Sequence, residues 1–421
     1  MFLFIEGIIP LIVFYTKVRY DKRYSDIFLI DYSTDGINAL YVMWLFSVIG
    51  YFSICLACDM KNYINFSIRN SCPKFKKYND NLLLPTAIIT LCIGIVSMHL
   101  WTKAFGGIQE FIMQADLIRA GRSNIPNRFA FLLHTSRCVI TSSYALFIIL
   151  KYRRSNKTIV RVLWIVATVY SILFLLCTDG RLAAGFYFLT YAIIKVKIGG
   201  KRYNTKKIII SAISIILVIT FIMKMDDITY FIRSGVWNGA SSKNEISSSF
   251  IGELMYIYNS TQYVIMNHKT IPLQIFNDLG YGLFAWLPAK FKPSVFLRIW
   301  KINTDLINLL VNGEIPFGII AQGYYDLRIL GVFILPYIYG RIIKRVDLMN
   351  TDSAFGSTLF AAIFYIMLRV VAYGMIYDFV LALFNVVIFY CIYRFLNGIF
   401  SYKNINSKNQ CLYDRIKTKE Q

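Results

Sequence analysis

The chain has 421 residues, of which 57% are hydrophobic and 16% are charged, and its mean hydropathy is +0.53. Soluble domains have about 45–50% apolar and about 25% charged residues, so a soluble globular enzyme is excluded. The 33 Phe and 30 Tyr exclude a disordered chain, and a count of eight Cys excludes a disulfide-stapled secreted module. The class that remains is a polytopic membrane protein.

Ten apolar runs are long enough, or nearly long enough, to cross the ~30 Å hydrocarbon layer of a bilayer. The first run carries Glu6 and lacks a basic leader and a cleavage site, so we expect a retained span and not a signal peptide. The sequence therefore predicts an all-α protein with about ten transmembrane helices. These lie near residues 2–16, 36–58, 82–101, 129–150, 162–178, 182–196, 208–223, 329–343, 354–372 and 376–398.

The positions of Lys and Arg predict the orientation, because cytoplasmic loops retain positive charge. Alternate connections hold 25 of the 45 basic residues, which predicts that both termini are cytoplasmic. The net charge of +22 is then explained by topology and by contact with anionic membrane lipids, with no need for nucleic acid. These connections are 59–81, 151–161, 195–207, 341–352 and 394–421.

This topology divides the chain into four regions. Residues 1–223 hold spans one to seven and an outer segment, 102–128, whereas 224–328 form one large outer (periplasmic) loop. Residues 329–400 hold spans eight to ten, and 401–421 form a basic cytoplasmic tail. Loops as long as 224–328 are usually functional, so we expect the working surface on the outer face.

The outer segment 102–128 has apolar residues at helical spacing, which predicts an amphipathic helix lying in the membrane interface. Arg119 and Arg122 return to the apolar face of that helix. At the level of the lipid phosphates an arginine keeps its stem in hydrocarbon while its guanidinium binds oxygen. Binding to ordinary lipid headgroups explains the two arginines equally well.

Three further arginines lie in or beside the spans. The sequence TDGR forms the tip of a hairpin with almost no loop and holds Arg181 at the outer mouth, although a surface pair with Asp179 is the alternative. Arg137 and Arg369 lie inside spans, where an ionisable residue by default marks a site or an aqueous cavity. A buried partner such as Asp378 would instead make Arg369 structural.

The large outer loop adds Arg233 and Arg328, with the acidic residues Glu314 and Asp326. Aromatic pieces such as 276–289 indicate interfacial or re-entrant helices, or packing within the loop itself. Guanidinium forks match phosphate oxygens, so this set of arginines indicates a lipid-linked phosphate or pyrophosphate substrate. Fixed cations would also stabilise the charge on a departing pyrophosphate.

The sequence lacks the motifs of competing chemistries. It has no Gly-rich phosphate loop, no His-Glu-x-x-His, no paired Cys or His ligands and no outer Asp-x-Asp. We therefore expect chemistry without a metal, a nucleotide or another cofactor. His99 and His134 lie in spans and are expected to be packing residues, whereas His268 lies in the outer loop and is a candidate base.

The pattern resembles the Wzy-type O-antigen polymerases, which join oligosaccharide repeat units in bacterial envelopes. Three places carry the resemblance: the sequence FGG at 105–107 leading into the Arg119 helix, the turn TDGRLAAG, and PFGIIAQGYYDLRILGVF at 316–333. It implies the GT-C-like membrane architecture of polymerases and ligases. It also implies location in the bacterial inner (plasma) membrane.

The resemblance implies a glycosyltransferase that moves a growing glycan from undecaprenyl pyrophosphate to a lipid-linked repeat unit. Arg181, Arg233 and Arg328 would act at the donor pyrophosphate, with Glu314 and Asp326 as catalytic acids or bases. The base stays open, because Glu253 and His268 also qualify. Arg119, Arg122, Arg137 and Arg369 would bind the pyrophosphate, and a regulator of chain length is an expected protein partner.

Three other functions compete with polymerisation. An O-antigen ligase shares the architecture but usually has a His followed by Gly in its large loop, whereas Lys269 follows His268 here. A lipid-linked oligosaccharide flippase usually has more spans and short outer loops. A membrane acyltransferase would be expected to show a His or an acid–His pair in the membrane. We therefore favour a polymerase.

Overall fold

The structure is a computed structural model, and it describes most of the predicted spans but only parts of the large loop. Within the described residues every regular element is a helix, and no strand occurs. Beyond residue 400 the description covers the backbone alone. The described ranges are 33–59, 79–115, 131–152, 158–198, 257–275, 277–285, 317–349, 353–374 and 376–417, with residues 118, 129, 287, 291, 296, 299, 302 and 303.

Twelve helices, numbered here in chain order, make up the described regions. Short 3-10 turns, Asp80–Leu82 and Lys103–Phe105, flank the second of them. The helices are α1 Thr34–Asp59, α2 Leu83–Thr102, α3 Ile108–Met113, α4 Leu132–Ser136, α5 Cys138–Tyr152, α6 Thr158–Thr178, α7 Arg181–Ile198, α8 257–266, α9 Asn277–Phe284, α10 Gly318–Asp347, α11 Ala354–Tyr373 and α12 Ile376–Lys417.

Six described helical segments are long and apolar enough to cross a membrane, and they coincide with the second to fifth, ninth and tenth predicted spans. The predicted spans 182–196 and 329–343 fall in α7 and α10, which are helical but are not among these six. The predicted spans 2–16 and 208–223 lie outside the described residues. Within the described residues the all-helical class is confirmed, with six helices that are long and apolar enough to cross a membrane, whereas ten spans and the GT-C-like architecture remain predictions. The six segments are Thr34–Asp59, Asp80–Phe105, Leu132–Lys151, Thr158–Thr178, Ala354–Tyr373 and Ile376–Phe400.

Two hydrophobic clusters hold the helices together, and α11 and α12 contribute to both. One cluster joins α2, α5, α6 and α7 to this pair, and the other joins α1, α8 and α10 to it. Close backbone approach needs small residues: a Cβ on Gly340 of α10 would lie 2.9 Å from the Ile54 carbonyl oxygen of α1. The Ser53 hydroxyl of α1 donates to the Phe333 carbonyl at 2.9 Å, as is common where membrane helices touch.

Helix α10 doubles back on itself near its first third. Leu327 and Arg328 have non-helical dihedral angles, and the φ of Arg328 is +55°. Gly323 and Gly331 would lie about 12 Å apart along a straight helix, yet a Cβ on Gly331 would collide with the Gly323 carbonyl oxygen. The two glycines therefore let the halves of a helical hairpin touch. The break falls at the predicted boundary between the large loop and the span that begins at 329.

Polar contacts between the ends of helices lie at two opposite ends of the helix assembly. At one end the Asn79 amide donates to the Tyr393 hydroxyl at 2.7 Å, and Lys197 pairs with Asp347 at 3.1 Å. The other end holds the charged residues described below. Which end faces the cytoplasm remains a prediction from the distribution of Lys and Arg.

Candidate functional site

Four charged side chains meet inside the helix assembly, and we call them the Arg/Asp quartet: Arg137, Asp179, Arg369 and Asp378. Arg137 lies between α4 and α5, and Asp179 directly follows α6. Arg369 lies near the end of α11, and Asp378 lies in the first turn of α12. Four separate helical segments thus each contribute one charge to a single point.

The quartet is a closed ring of alternating charges. Arg137 Nη1 lies 2.5 Å from Asp378 Oδ1, and Arg137 Nη2 lies 3.0 Å from Asp179 Oδ1. Arg369 Nη1 lies 3.0 Å from Asp179 Oδ2, and Arg369 Nη2 lies 2.5 Å from Asp378 Oδ2. Each carboxylate bridges both guanidiniums, so the two positive and two negative charges cancel.

The ring is shielded from solvent, since its side chains are only 6–9% exposed. Aromatic faces surround the guanidiniums: Arg369 lies 5.9 Å from the Tyr365 ring and 5.8 Å from the Tyr373 ring, and Arg137 lies 6.0 Å from the Phe174 ring. A buried charge needs a partner with good geometry, and each member of the quartet has two. Removal of any one member would leave a net charge in a dry environment.

The quartet holds the tip of the hairpin between α6 and α7. The Asp179 carbonyl accepts a hydrogen bond from the Tyr373 hydroxyl at 3.1 Å, and its carboxylate accepts from both arginines of the ring. Gly180 follows with φ +88°, a left-handed conformation that favours glycine, and its amide donates to the Leu175 carbonyl at 2.8 Å. Helix α7 then begins at Arg181. The backbone that carries Arg181 is therefore anchored by α5 and α11.

The quartet changes two interpretations made from the sequence. Asp179 does not lie in a surface pair, because its carboxylate is buried between Arg137 and Arg369. The alternative that Asp378 pairs with Arg369 is confirmed, and this pairing also involves Arg137. The sequence contained one signal for the ring: both intramembrane arginines have an acidic residue available at the end of another span.

Arg328, at the break in α10, binds backbone oxygens of a neighbouring turn. Its guanidinium donates to the carbonyls of His268, at 2.9 Å, and Ile271, and it lies 5.5 Å from the ring of Tyr324. A non-glycine residue at positive φ costs about 1–3 kcal/mol, and these contacts offset that cost. Arg328, which the sequence predicts to bind phosphate, thus fastens residues 268–271 to the α10 hairpin.

The two candidate bases that the structure describes differ in their exposure to solvent. Asp326 is fully buried and accepts a hydrogen bond from Gln322 at 2.9 Å. His268 is exposed, and its Nδ1 lies 2.9 Å from the Ile265 carbonyl oxygen. A carbonyl only accepts, so the Nδ1–H group donates to it, and Nε2 is left to contact another partner.

A series of buried hydrogen bonds begins at Tyr325, the residue next to Asp326. The Tyr325 hydroxyl donates to Asn303, which in turn donates to the Ser260 hydroxyl, each at 2.9 Å. Burial raises the pKa of Tyr324 and Tyr325, and the nearby Arg328 charge opposes that shift. Both phenols therefore stay neutral and act as hydrogen-bonding groups rather than as anions.

The predicted aromatic piece 276–289 contains the short helix α9. It packs against the start of α12, where a Cβ on Gly282 would lie 2.9 Å from the Tyr377 Cα. The buried Asp278 carboxylate accepts from the Ile299 amide at 2.8 Å, whereas Leu283 is 52% exposed. The helix thus has one face packed on the protein and one apolar face turned outward.

The remaining predicted site residues are not placed by the structure. Arg119, Arg122, Arg233 and Glu314 lie outside the described residues, as does the further candidate base Glu253. For Arg181 the backbone alone is described. Among the described residues no group of three or more His, Cys, Asp or Glu side chains is arranged to hold a metal ion.

Comparisons of the chain with protein-family models, with curated proteins and with solved structures find no match. Among the described residues, the features that bear on function are the quartet, the hairpin tip that the quartet holds, and the turn that Arg328 fastens.

Proposed function

We propose that this chain is an oligosaccharide repeat-unit polymerase of the Wzy type in the inner membrane of a bacterial cell. It would transfer the growing glycan from undecaprenyl pyrophosphate to a sugar hydroxyl of a lipid-linked repeat unit. The new glycosidic bond forms at the anomeric carbon as the bond to the pyrophosphate oxygen breaks. Undecaprenyl pyrophosphate leaves, and the hydroxyl proton passes to a base.

The anchored hairpin tip is the observation that carries this proposal. Asp179 and Asp378 already neutralise Arg137 and Arg369, so we assign these arginines a positioning role. Arg181 follows the anchored turn directly, and we assign it the contact with the donor pyrophosphate. A cation held on a rigid backbone stabilises the charge of a leaving group without reorganising during the reaction.

Exposure favours His268 over Asp326 as the base that activates the acceptor hydroxyl. The His268 Nδ1–H donates to the Ile265 carbonyl, which orients the ring, and the Arg328 guanidinium holds the backbone at the same residue. A general base must reach the proton that it removes. Asp326 is enclosed by protein, whereas His268 is open to an incoming sugar.

Reconstitution tests the proposed reaction. The purified protein is placed in lipid vesicles with undecaprenyl-pyrophosphate-linked repeat units, with chelator and without nucleotide. We expect chains of several repeat units to form, and we expect Arg181→Ala to form none. Absence of polymer with the unaltered protein, when the lipid-linked units are intact and accessible, would contradict the proposal.

A further inference from the structure

A small cavity adjoins the quartet inside the membrane-spanning part of the protein. Its volume is about 20 Å³, and its lining includes both arginines of the quartet together with Tyr365, Asn385 and Thr141. A cavity with polar side chains on its wall holds one water molecule when its volume exceeds about 10–15 Å³.

Three polar atoms on the residues that line this cavity have no hydrogen-bond partner in the protein: Arg137 Nε, Arg369 Nε and the Tyr365 hydroxyl. Their residues are 8%, 5% and 2% exposed. Buried polar groups in native proteins are nearly always paired, and bound water is a common partner. Three unpaired atoms on residues that line one cavity therefore indicate a ligand.

We propose that this cavity binds a single structural water molecule that joins Arg137, Arg369 and Tyr365. The two Nε–H groups donate only, so the ligand accepts two hydrogen bonds. A water molecule has two lone pairs for these donors. It retains two hydrogens, one for the Tyr365 oxygen and one for the polar side chains of Asn385 and Thr141.

The charge of the quartet selects water over an anion. Chloride would also accept hydrogen bonds from both Nε–H groups, but the two aspartates already cancel the charge of the two arginines. A chloride ion would leave one net negative charge in a dry interior, which is unfavourable. A neutral ligand that both accepts and donates satisfies all three atoms.

This water extends the quartet toward a cluster of buried tyrosines. The Tyr365 ring lies 6.2 Å from the Tyr144 ring and 6.5 Å from the Tyr187 ring. The Tyr187 hydroxyl donates to the Ser143 hydroxyl at 2.8 Å. The water thus links the charges that hold the hairpin tip to the polar core between α5, α7 and α11.

An electron cryomicroscopy structure of the full-length protein, at a resolution that shows ordered water, tests the site. Samples are prepared in chloride and in gluconate buffer. We expect one density peak within hydrogen-bonding distance of both Nε atoms in both buffers. A peak that appears only in chloride would assign the site to an anion, and absence of a peak in both would overturn the site itself.

The variant Tyr365→Phe removes one proposed ligand and keeps the ring. We expect the peak to weaken and the Tm to fall by about 1–2 °C, because the unfolding entropy of a chain of 421 residues is large and the loss of one buried hydrogen-bonding group is therefore a small shift in Tm. Tyr170→Phe is the control, because its half-exposed hydroxyl bonds to His99. An unchanged peak and Tm in Tyr365→Phe would remove Tyr365 from the site. Neither readout depends on enzymatic activity.

Discussion

Replacement of Asp179 by Asn tests whether the quartet holds the hairpin tip. The change keeps the shape of the side chain but removes its charge, so the ring carries a net positive charge in a buried position. The carboxylate accepts two hydrogen bonds of 3.0 Å from charged partners and is 7% exposed. Removing one partner from a buried ion pair costs about 3–5 kcal/mol, and we expect a loss of stability in that range.

The assay is chemical unfolding of the purified protein in detergent micelles, with Asp347→Asn as the control. Asp347 also pairs with a basic residue, Lys197, but its side chain is 80% exposed, so we expect a loss below about 1 kcal/mol. The double variant Asp179→Asn/Arg137→Gln restores neutrality and should lose less than the sum of its two single changes. A loss of stability in Asp179→Asn no larger than that in Asp347→Asn would show that the quartet does not hold the hairpin tip.

Three further predictions concern the hairpin tip, the candidate base and the α10 hairpin. Arg181→Ala should abolish polymer at a normal membrane level of the protein, measured by glycan gel and immunoblot, whereas Lys195→Ala on the same helix should leave polymer unchanged; normal polymer in Arg181→Ala would remove that residue from the site. His268→Ala should slow polymerisation in vesicles about 100-fold or more if the ring is a general base, and a loss of twofold or less would exclude that role. Gly331→Ala places a methyl group against the Gly323 backbone oxygen and should cost about 3 kcal/mol in micelle unfolding. Gly398→Ala lies inside helix α12 and meets no atom within 4 Å, so it should be neutral or stabilise by up to about 1 kcal/mol, and equal stability of these two variants would argue against the folded-back hairpin.

Hydropathy identified the described membrane helices because a helix that crosses a bilayer needs a continuous apolar run. The six segments that meet this requirement all coincide with predicted spans. Helix α7 satisfies the pattern less strongly because Arg181, Lys195 and Lys197 lie near its two ends. The sequence thus predicts where the long apolar helices lie. Whether a short or charged helix inserts into the membrane depends on the helices that pack against it.

The pairing inside the quartet was only partly visible, because it joins residues that are far apart in the chain. Arg137 and Asp378 are separated by 241 positions, and periodicity along one helix carries no information about such a contact. The sequence indicated that each intramembrane arginine marks a site or has a buried partner. The ring could be identified only from the packing of α5, α6, α11 and α12.

The residues around the α10 break show why burial and backbone conformation escape sequence reasoning. The sequence predicts Asp326 as a candidate acid or base in the large outer loop, and the structure shows that its segment folds back into the protein and buries it completely. Arg328 was expected to bind phosphate, and its positive φ directs its guanidinium to the carbonyls of the 268–271 turn. The signal in the sequence for the folded-back hairpin was the pair Gly323 and Gly331, because small residues often permit close backbone contact.

An envelope glycan gel tests whether the protein polymerises lipid-linked repeat units. A deletion strain is compared with the same strain carrying the protein on a plasmid. We expect the deletion strain to make lipid core with a single repeat unit and the plasmid to restore a ladder of longer chains. Lipid core with no repeat unit in the deletion strain would contradict a polymerase and would indicate a ligase or a flippase.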